Sequence, residues 1–304
     1  MSSSRGGLRR MFAGVLAVVA PAALAVQPVV HYDFDHPDDK DAAREVDQGS
    51  SGTRLWLVNG GAAMRVADPA YPGAGMALQT RQVNPGQEGN DDWKAGVFDE
   101  NGVETLHAFS AAEGITLMGW VKPMGPHPKP NTTTPDPEDH FGAVGLFGLL
   151  SGTSEGHLVR ALLEVIQVDG TLRLVALGRR ADEGTSMIVA AEGDWENLLP
   201  TGQWTHIAAT FDYDGGEMTL FRNGQPLAAA PTVAGDPWAV EGGPEPDRTS
   251  ASDPNGIKIG GSYPQNTVER NPFDGRFDDL VFFDRALAPG EVLGQFRRFQ
   301  PARD

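Results

Sequence analysis

The chain has no cysteine. That excludes disulfides, thiolate nucleophiles and thiolate metal sites together, and also the lipid-modified cysteine of a bacterial lipoprotein. Basic residues are scarce, with 24 Lys and Arg against 41 Asp and Glu, a formal charge of −17. Nucleic acid and anionic lipid surfaces both need a basic patch to displace counterions, so neither is an expected partner. Divalent cations and neutral molecules suit such a surface, and acidity alone also keeps an exported chain soluble. Aromatic residues are few, at 8%. No hydrophobic run reaches the roughly 20 residues of a membrane span; the run Met11 to Ala20 is too short.

That short run has a context of its own. Arg5, Arg9 and Arg10 precede it, and Ala23-Leu24-Ala25 follows as a small-residue cleavage site. A basic stretch, a short apolar stretch and small residues make a secretory signal peptide, here residues 1–25. Arg9-Arg10-Met11-Phe12 also fits part of the twin-arginine pattern, so both export routes stay open. The expectation is an exported bacterial protein, periplasmic or extracellular.

What is plentiful is turn chemistry: 38 glycines and 23 prolines. Apolar and polar residues alternate between Gly, Pro, Asn and Asp clusters, the pattern of half-buried strands. It predicts strands at Val30–Phe34, Ile115–Val121, Leu162–Val168, Leu172–Leu177, Trp204–Phe211, Met218–Phe221, Ile257–Gly260 and Phe277–Phe283. Asp169-Gly170 and Asn223-Gly224 predict tight hairpins. Ala288-Pro289-Gly290-Glu291 is the one convincing helix start, with Pro where a first turn tolerates it. Two long loops, 124–141 and 235–254, are rich in Pro and Asp. No repeat or linker divides residues 26–304, which read as one all-β domain: a two-sheet antiparallel β-sandwich with a short C-terminal helix.

Four segments, in order, resemble the laminin-G-like (concanavalin A-like) jelly-roll family. They are Ile115-Thr-Leu-Met-Gly-Trp-Val-Lys-Pro123, Gly202-Gln-Trp-Thr-His-Ile-Ala208, Thr219-Leu-Phe-Arg-Asn-Gly224, and Phe273-Asp-Gly-Arg-Phe-Asp-Asp-Leu280 with Asp284-Arg-Ala-Leu287. Tyr32-Asp33-Phe34 and Asp47 to Gly52 fit its opening strand and loop more loosely. Ala288 departs from the resemblance, standing where the family has a polar helix cap. The loops after Pro123 and Ala234 are longer than a minimal member needs. The likeness implies a jelly roll and, because one fold hosts many activities, says little of function.

A structural Ca2+ is the sharpest chemical expectation. Strict alternation sets Asp278 on the same face as Leu280 and Phe282, where a carboxylate is costly unless it is paired or metal-bound. By resemblance, calcium would tie this strand to the opening loop, with Asp278 as one ligand and Asp47 or backbone carbonyls as others. The alternative is that Asp278 accepts backbone hydrogen bonds with no metal. The run Asp33 to Asp41 could hold a second cation but lacks the glycine and final glutamate of an EF-hand, and reads better as a solvated loop. The histidines do not cluster at zinc spacing, and His206 reads as a packed, hydrogen-bonded residue.

Glycosidases need two flanking carboxylates. The Glu-x-Asp-x-x-Glu spacing of jelly-roll glucanases is missing, and so is Gly-x-Ser-x-Gly. An enzyme therefore ranks last. Sugar binding needs exposed aromatics in polar loops. Trp93, Trp195, Trp238 and Tyr263 sit in such stretches, whereas Trp120 and Trp204 lie on strands. Each loop aromatic could equally fold back over the sandwich. The two leading readings are a non-catalytic carbohydrate-binding module and a protein-binding or adhesive domain of the cell envelope. The first expects exposed loop tryptophans on one surface; the second expects an apolar patch or a free sheet edge.

Overall fold

The computed structural model describes residues 26–83, 91–125, 144–151, 159–179, 186–232, 253–261 and 273–298. Residues 1–25, expected to be a signal peptide, most of both long loops, Trp238 and Tyr263 fall outside the described residues.

Two antiparallel sheets make up the fold. Sheet A runs β15 (Gln225–Pro226), β14 (Glu217–Arg222), β13 (Thr205–Asp212), β8 (Gly114–Pro123), β18 (Gly275–Phe283), β6 (Ala77–Thr80) and β5 (Arg65–Val66), with β1 (Val30–Tyr32) also on β18. Sheet B runs β16 (Ala229–Pro231), β12 (Ser186–Ala191), β11 (Thr171–Arg179), β10 (Val159–Val168), β9 (Val144–Leu150), β17 (Gly256–Ile259), β7 (Lys94–Phe98), β4 (Arg54–Val58), β3 (Asp41–Val46) and β2 (Pro37–Asp38). The short helix α1 (Trp195–Leu198) and the C-terminal helix α2 (Pro289–Arg298) complete the described elements, with 3-10 turns at Gly61–Met64 and Glu104–Phe109.

The expected strands are found, although β1 stops at Tyr32 with Phe34 at φ 59°, and the acidic run expected as a loop contains β2 and the start of β3. Both hairpin dipeptides adopt the left-handed conformation their turns require, Asp169 and Gly170 at φ 51° and 76°, Asn223 and Gly224 at 50° and 74°. Ala288 offers no side-chain cap, but Glu291 reaches back to its backbone N–H at 2.9 Å, so α2 keeps half of a capping box.

The main core lies between the sheets, built from inward residues such as Leu117, Val121, Ile207, Phe211, Phe277 and Phe282. Sheet A is buried on its outer face as well. There Met118, Ala208, Phe221, Val281 and Phe283 pack with Leu287 and Val292 at the helix. That is why β8, β13 and β18 read as near-continuous apolar runs rather than clean alternation.

Candidate functional site

β18 contains a bulge. Phe277 pairs with Val121 and Asp278 with Trp120, but Val281 then pairs with Met118, leaving two residues, Asp279 and Leu280, opposite Gly119. Asp279 takes up the extra residue at φ 43°. Gly119 makes room, since a Cβ there would stand 2.3 Å from Leu280 Cδ2. The bulge overturns the alternation argument. Asp278 points to the outer face beside Trp120, while Leu280 and Phe282 enter the core.

Asp278 is 1% exposed, because the segment 67–76 crosses the sheet above it. Asp68 anchors that segment through Lys122 at 2.8 Å and through Arg276. Ala70 N–H donates to Asp278 Oδ2 at 3.0 Å, and Tyr71 donates its hydroxyl to Asp279. Met76 N–H reaches Asp35 Oδ1 at 2.7 Å, an approach that only Gly75 permits, since a Cβ there would lie 2.1 Å from that oxygen. Asp278 also accepts from Asp279 N–H at 2.9 Å. It has no ion pair among the described residues. Burial first, and then the Asp279 carboxylate, push its pKa up to about 8, with Asp35 adding to the effect.

A calcium ion fits this chemistry. The buried Asp278 carboxylate feels the like charge of Asp279 and Asp35, and carboxylates so placed suit a hard divalent cation. Asp278 and Asp35 would be the carboxylates to hold such an ion.

Asp47, the other expected ligand, is held by hydrogen bonds of its own loop. Its Oδ1 accepts from His31 N–H at 2.6 Å and Gly49 N–H at 2.7 Å, and its Oδ2 from Ser51 Oγ at 2.5 Å and Gly52 N–H at 2.9 Å. Four donors occupy its lone pairs, so Asp47 folds its own loop. The tie from the opening strand to β18 runs instead through His31, whose Nε2 lies 2.7 Å from Asp279 Oδ1. In the acidic run, Asp33, His36 and Glu45 bring ligand atoms within 4.8 Å of one another. Glu45 is already bound by Arg65 in a buried ion pair.

The aromatic candidates separate sharply. Trp195 is 1% exposed and part of the main core, so it has no face for a sugar; Asp194 caps its short helix. Trp93 is half-buried against the core, with Arg81 above its ring at 4.8 Å. Trp120 is buried against Tyr71, His206 and Phe296. His206 is buried as expected, yet neither ring nitrogen has a hydrogen-bond partner among the described residues, and burial pushes its pKa down to about 3.

Among the described residues the exposed tryptophan is Trp56, which lies on a strand rather than in a loop. Trp56 stands on β4 with 40% of its surface exposed and the Arg44 guanidinium 3.7 Å from its ring centroid. Its signal was the alternation Arg54-Leu55-Trp56-Leu57, in which the leucines must take the inner face. Arg44 and Arg54 also line an open cleft of about 850 Å³ formed with the 35–41 segment.

Comparison with known proteins agrees with this architecture. Residues 150–293 match the family model of the concanavalin A-like lectin/glucanases superfamily. Over 97 residues the chain is 26% identical to pentraxin-related protein PTX3 of Mus musculus, covering 32% of this chain and 24% of that protein. A structure of botulinum neurotoxin type C, whose cell entry is described as dependent on two ganglioside molecules, superposes with TM-score 0.54 at 12% identity. The binding domain of botulinum neurotoxin DC in complex with rat synaptotagmin II gives 0.53 at 10%. Each covers 90% of this chain, which spans only 52% of the solved chain. The chain thus resembles the concanavalin A-like lectins and glucanases, in sequence over residues 150–293 and in the two-sheet jelly roll of its described residues.

Proposed function

We propose that the chain is an exported, non-catalytic glycan-binding module, with a calcium ion at Asp278 bracing the 67–76 segment against sheet A. Export rests on the basic, apolar and small-residue pattern of residues 1–25. The observation that carries the choice of a glycan over a protein is the state of the sheet edges. The sheet paths end in β15, β5, β16 and β2, strands of two or three residues, and three of them contain Pro226, Pro231 or Pro37. Such edges resist strand addition. Exposed large apolar side chains among the described residues are three and scattered: Trp56, Val83 and Met124. A protein-docking face would gather them.

The similar structures are binding domains, one described with gangliosides and one with synaptotagmin, so both partner classes occur on this fold. Binding of the purified chain to a broad panel of polysaccharides, with product release assayed in parallel, tests the proposal. Saturable binding without cleavage supports it. Cleavage, or binding only to envelope protein, contradicts it.

A further inference from the structure

We infer that Asp33, His36 and Glu45 form a site for a borderline first-row divalent cation, Zn2+ above all, separate from the calcium proposed at Asp278. It goes beyond the glycan-binding reading and does not depend on it.

One imidazole and two carboxylates bring ligand atoms within 4.8 Å of one another. Two elements supply them: Asp33 and His36 stand in the turn after β1, and Glu45 on β3. Phe34 pins the turn, its ring in the main core and its backbone at φ 59°. The far end of the turn is clamped to β3 twice. His36 N–H donates to Glu45 Oε1 at 2.9 Å, and Val46 N–H donates to the His36 carbonyl at 2.9 Å. The backbone that carries the ligands is therefore set by the scaffold.

Glu45 is the anchor. It is fully buried, and Arg65 grips it through one oxygen only: Nε at 2.8 Å and Nη2 both donate to Oε2. The same guanidinium is held by the carbonyls of Ala42 and Arg44, each at 2.6 Å. Among the described residues Oε1 accepts only from His36 N–H, so it keeps a lone pair. An orienting partner on one carboxylate oxygen, with the other free to bind, is the support that metal-ligating carboxylates use.

Charge agrees. The carboxylates of Asp33, Glu45 and Asp35 all act on the imidazole, against the single guanidinium at Glu45. His36 Nδ1 lies 2.8 Å from Asp33 Oδ1, with half of the imidazole open to water. An ion would take the place of the proton between these two atoms. Ligand atoms on one tetrahedral zinc lie about 3.3 Å apart, so the pair must part by about half an ångström, which the exposed imidazole allows. A nitrogen with two carboxylate oxygens suits zinc, whereas calcium takes six to eight oxygens. Three protein ligands leave the fourth position to water.

The test titrates the metal-stripped full chain and its His36→Ala and Asp33→Asn variants with Zn2+ by calorimetry, and with Co2+ by visible absorption, all in excess Ca2+ to fill any calcium site. Circular dichroism checks the fold. The chain should bind Zn2+ with a micromolar or tighter Kd, and Co2+ should show the intense d–d bands of a four-coordinate ion. Both variants should lose affinity tenfold or more with the fold intact. Affinity unchanged in His36→Ala places the ion elsewhere and overturns the site. Absence of Zn2+ binding, or its displacement by Ca2+, overturns it as well.

Discussion

Asp278 stands directly across from Trp120 on the outer face of sheet A, although it is only two residues from Leu280 in the core. The bulge at Asp279 produces this arrangement, and it sets a buried carboxylate beneath the 67–76 segment with no ion-pair partner among the described residues. Its pKa of about 8 lies far above the unfolded carboxylate value. The sign follows: without metal, this group favours folding when protonated, and its contribution is lost as pH rises from about 4 through 8. In chelator, Asp278→Asn should therefore be more stable than wild type at pH 8, by roughly 2–4 kcal/mol. Calcium should reverse the order by stabilising only the wild type. Denaturant melts with calcium and with chelator measure both; an equal calcium response in the two proteins would remove Asp278 from the site.

Asp47 carries a different expectation. Its four hydrogen bonds hold the 47–53 turn and the backbone of His31, so Asp47→Ala should cost about 3 kcal/mol. Because no lone pair is free for a metal, the calcium-induced rise in Tm should survive the substitution. Its disappearance would return Asp47 to the ligand set.

His206 predicts an acid limb of opposite sign. Its folded pKa near 3 lies below the unfolded value of about 6.5, so its contribution is complete above pH 6.5 and falls as the unfolded chain gains a proton the folded chain refuses. The slope is about 1.4 kcal/mol per pH unit between those values. His206→Leu keeps the apolar contacts with Trp120 and Phe296 and should flatten stability between pH 6.5 and 4 by about 2–3 kcal/mol relative to wild type. Parallel acid slopes in the two proteins would contradict this.

Trp195→Ala should open a cavity in the main core and cost about 3–5 kcal/mol. Under conditions where the variant remains folded, glycan affinity should match wild type. A selective loss of affinity with unchanged stability would restore Trp195 as a contact residue.

Much of the fold was legible because its signals are local. Asp169-Gly170 and Asn223-Gly224 fix two hairpins by φ alone, and the strand cores around Trp120, Ile207 and Phe277 follow from apolar runs. The face of Asp278 was not legible, since one inserted residue inverts everything before it, and the left-handed position is filled by Asp279 rather than by a telltale glycine. Trp195 misled because polar neighbours describe a loop's backbone, not the direction of its side chain. Trp56 was readable from alternation, since Leu55 and Leu57 take the inner face of β4 and leave it outside. The occupation of Asp47 could not be read at all, because it depends on backbone N–H groups that any sequence supplies.

The most direct test of the account is equilibrium binding of the purified chain to an array of neutral and acidic glycans, first in calcium and then in chelator. Asp35 belongs both to the charge cluster around Asp278 and to the cleft beside Arg44, so loss of the ion should loosen the cleft wall. The account predicts saturable binding to neutral glycans that weakens on chelation. Absence of saturable binding to every glycan on the array would contradict it.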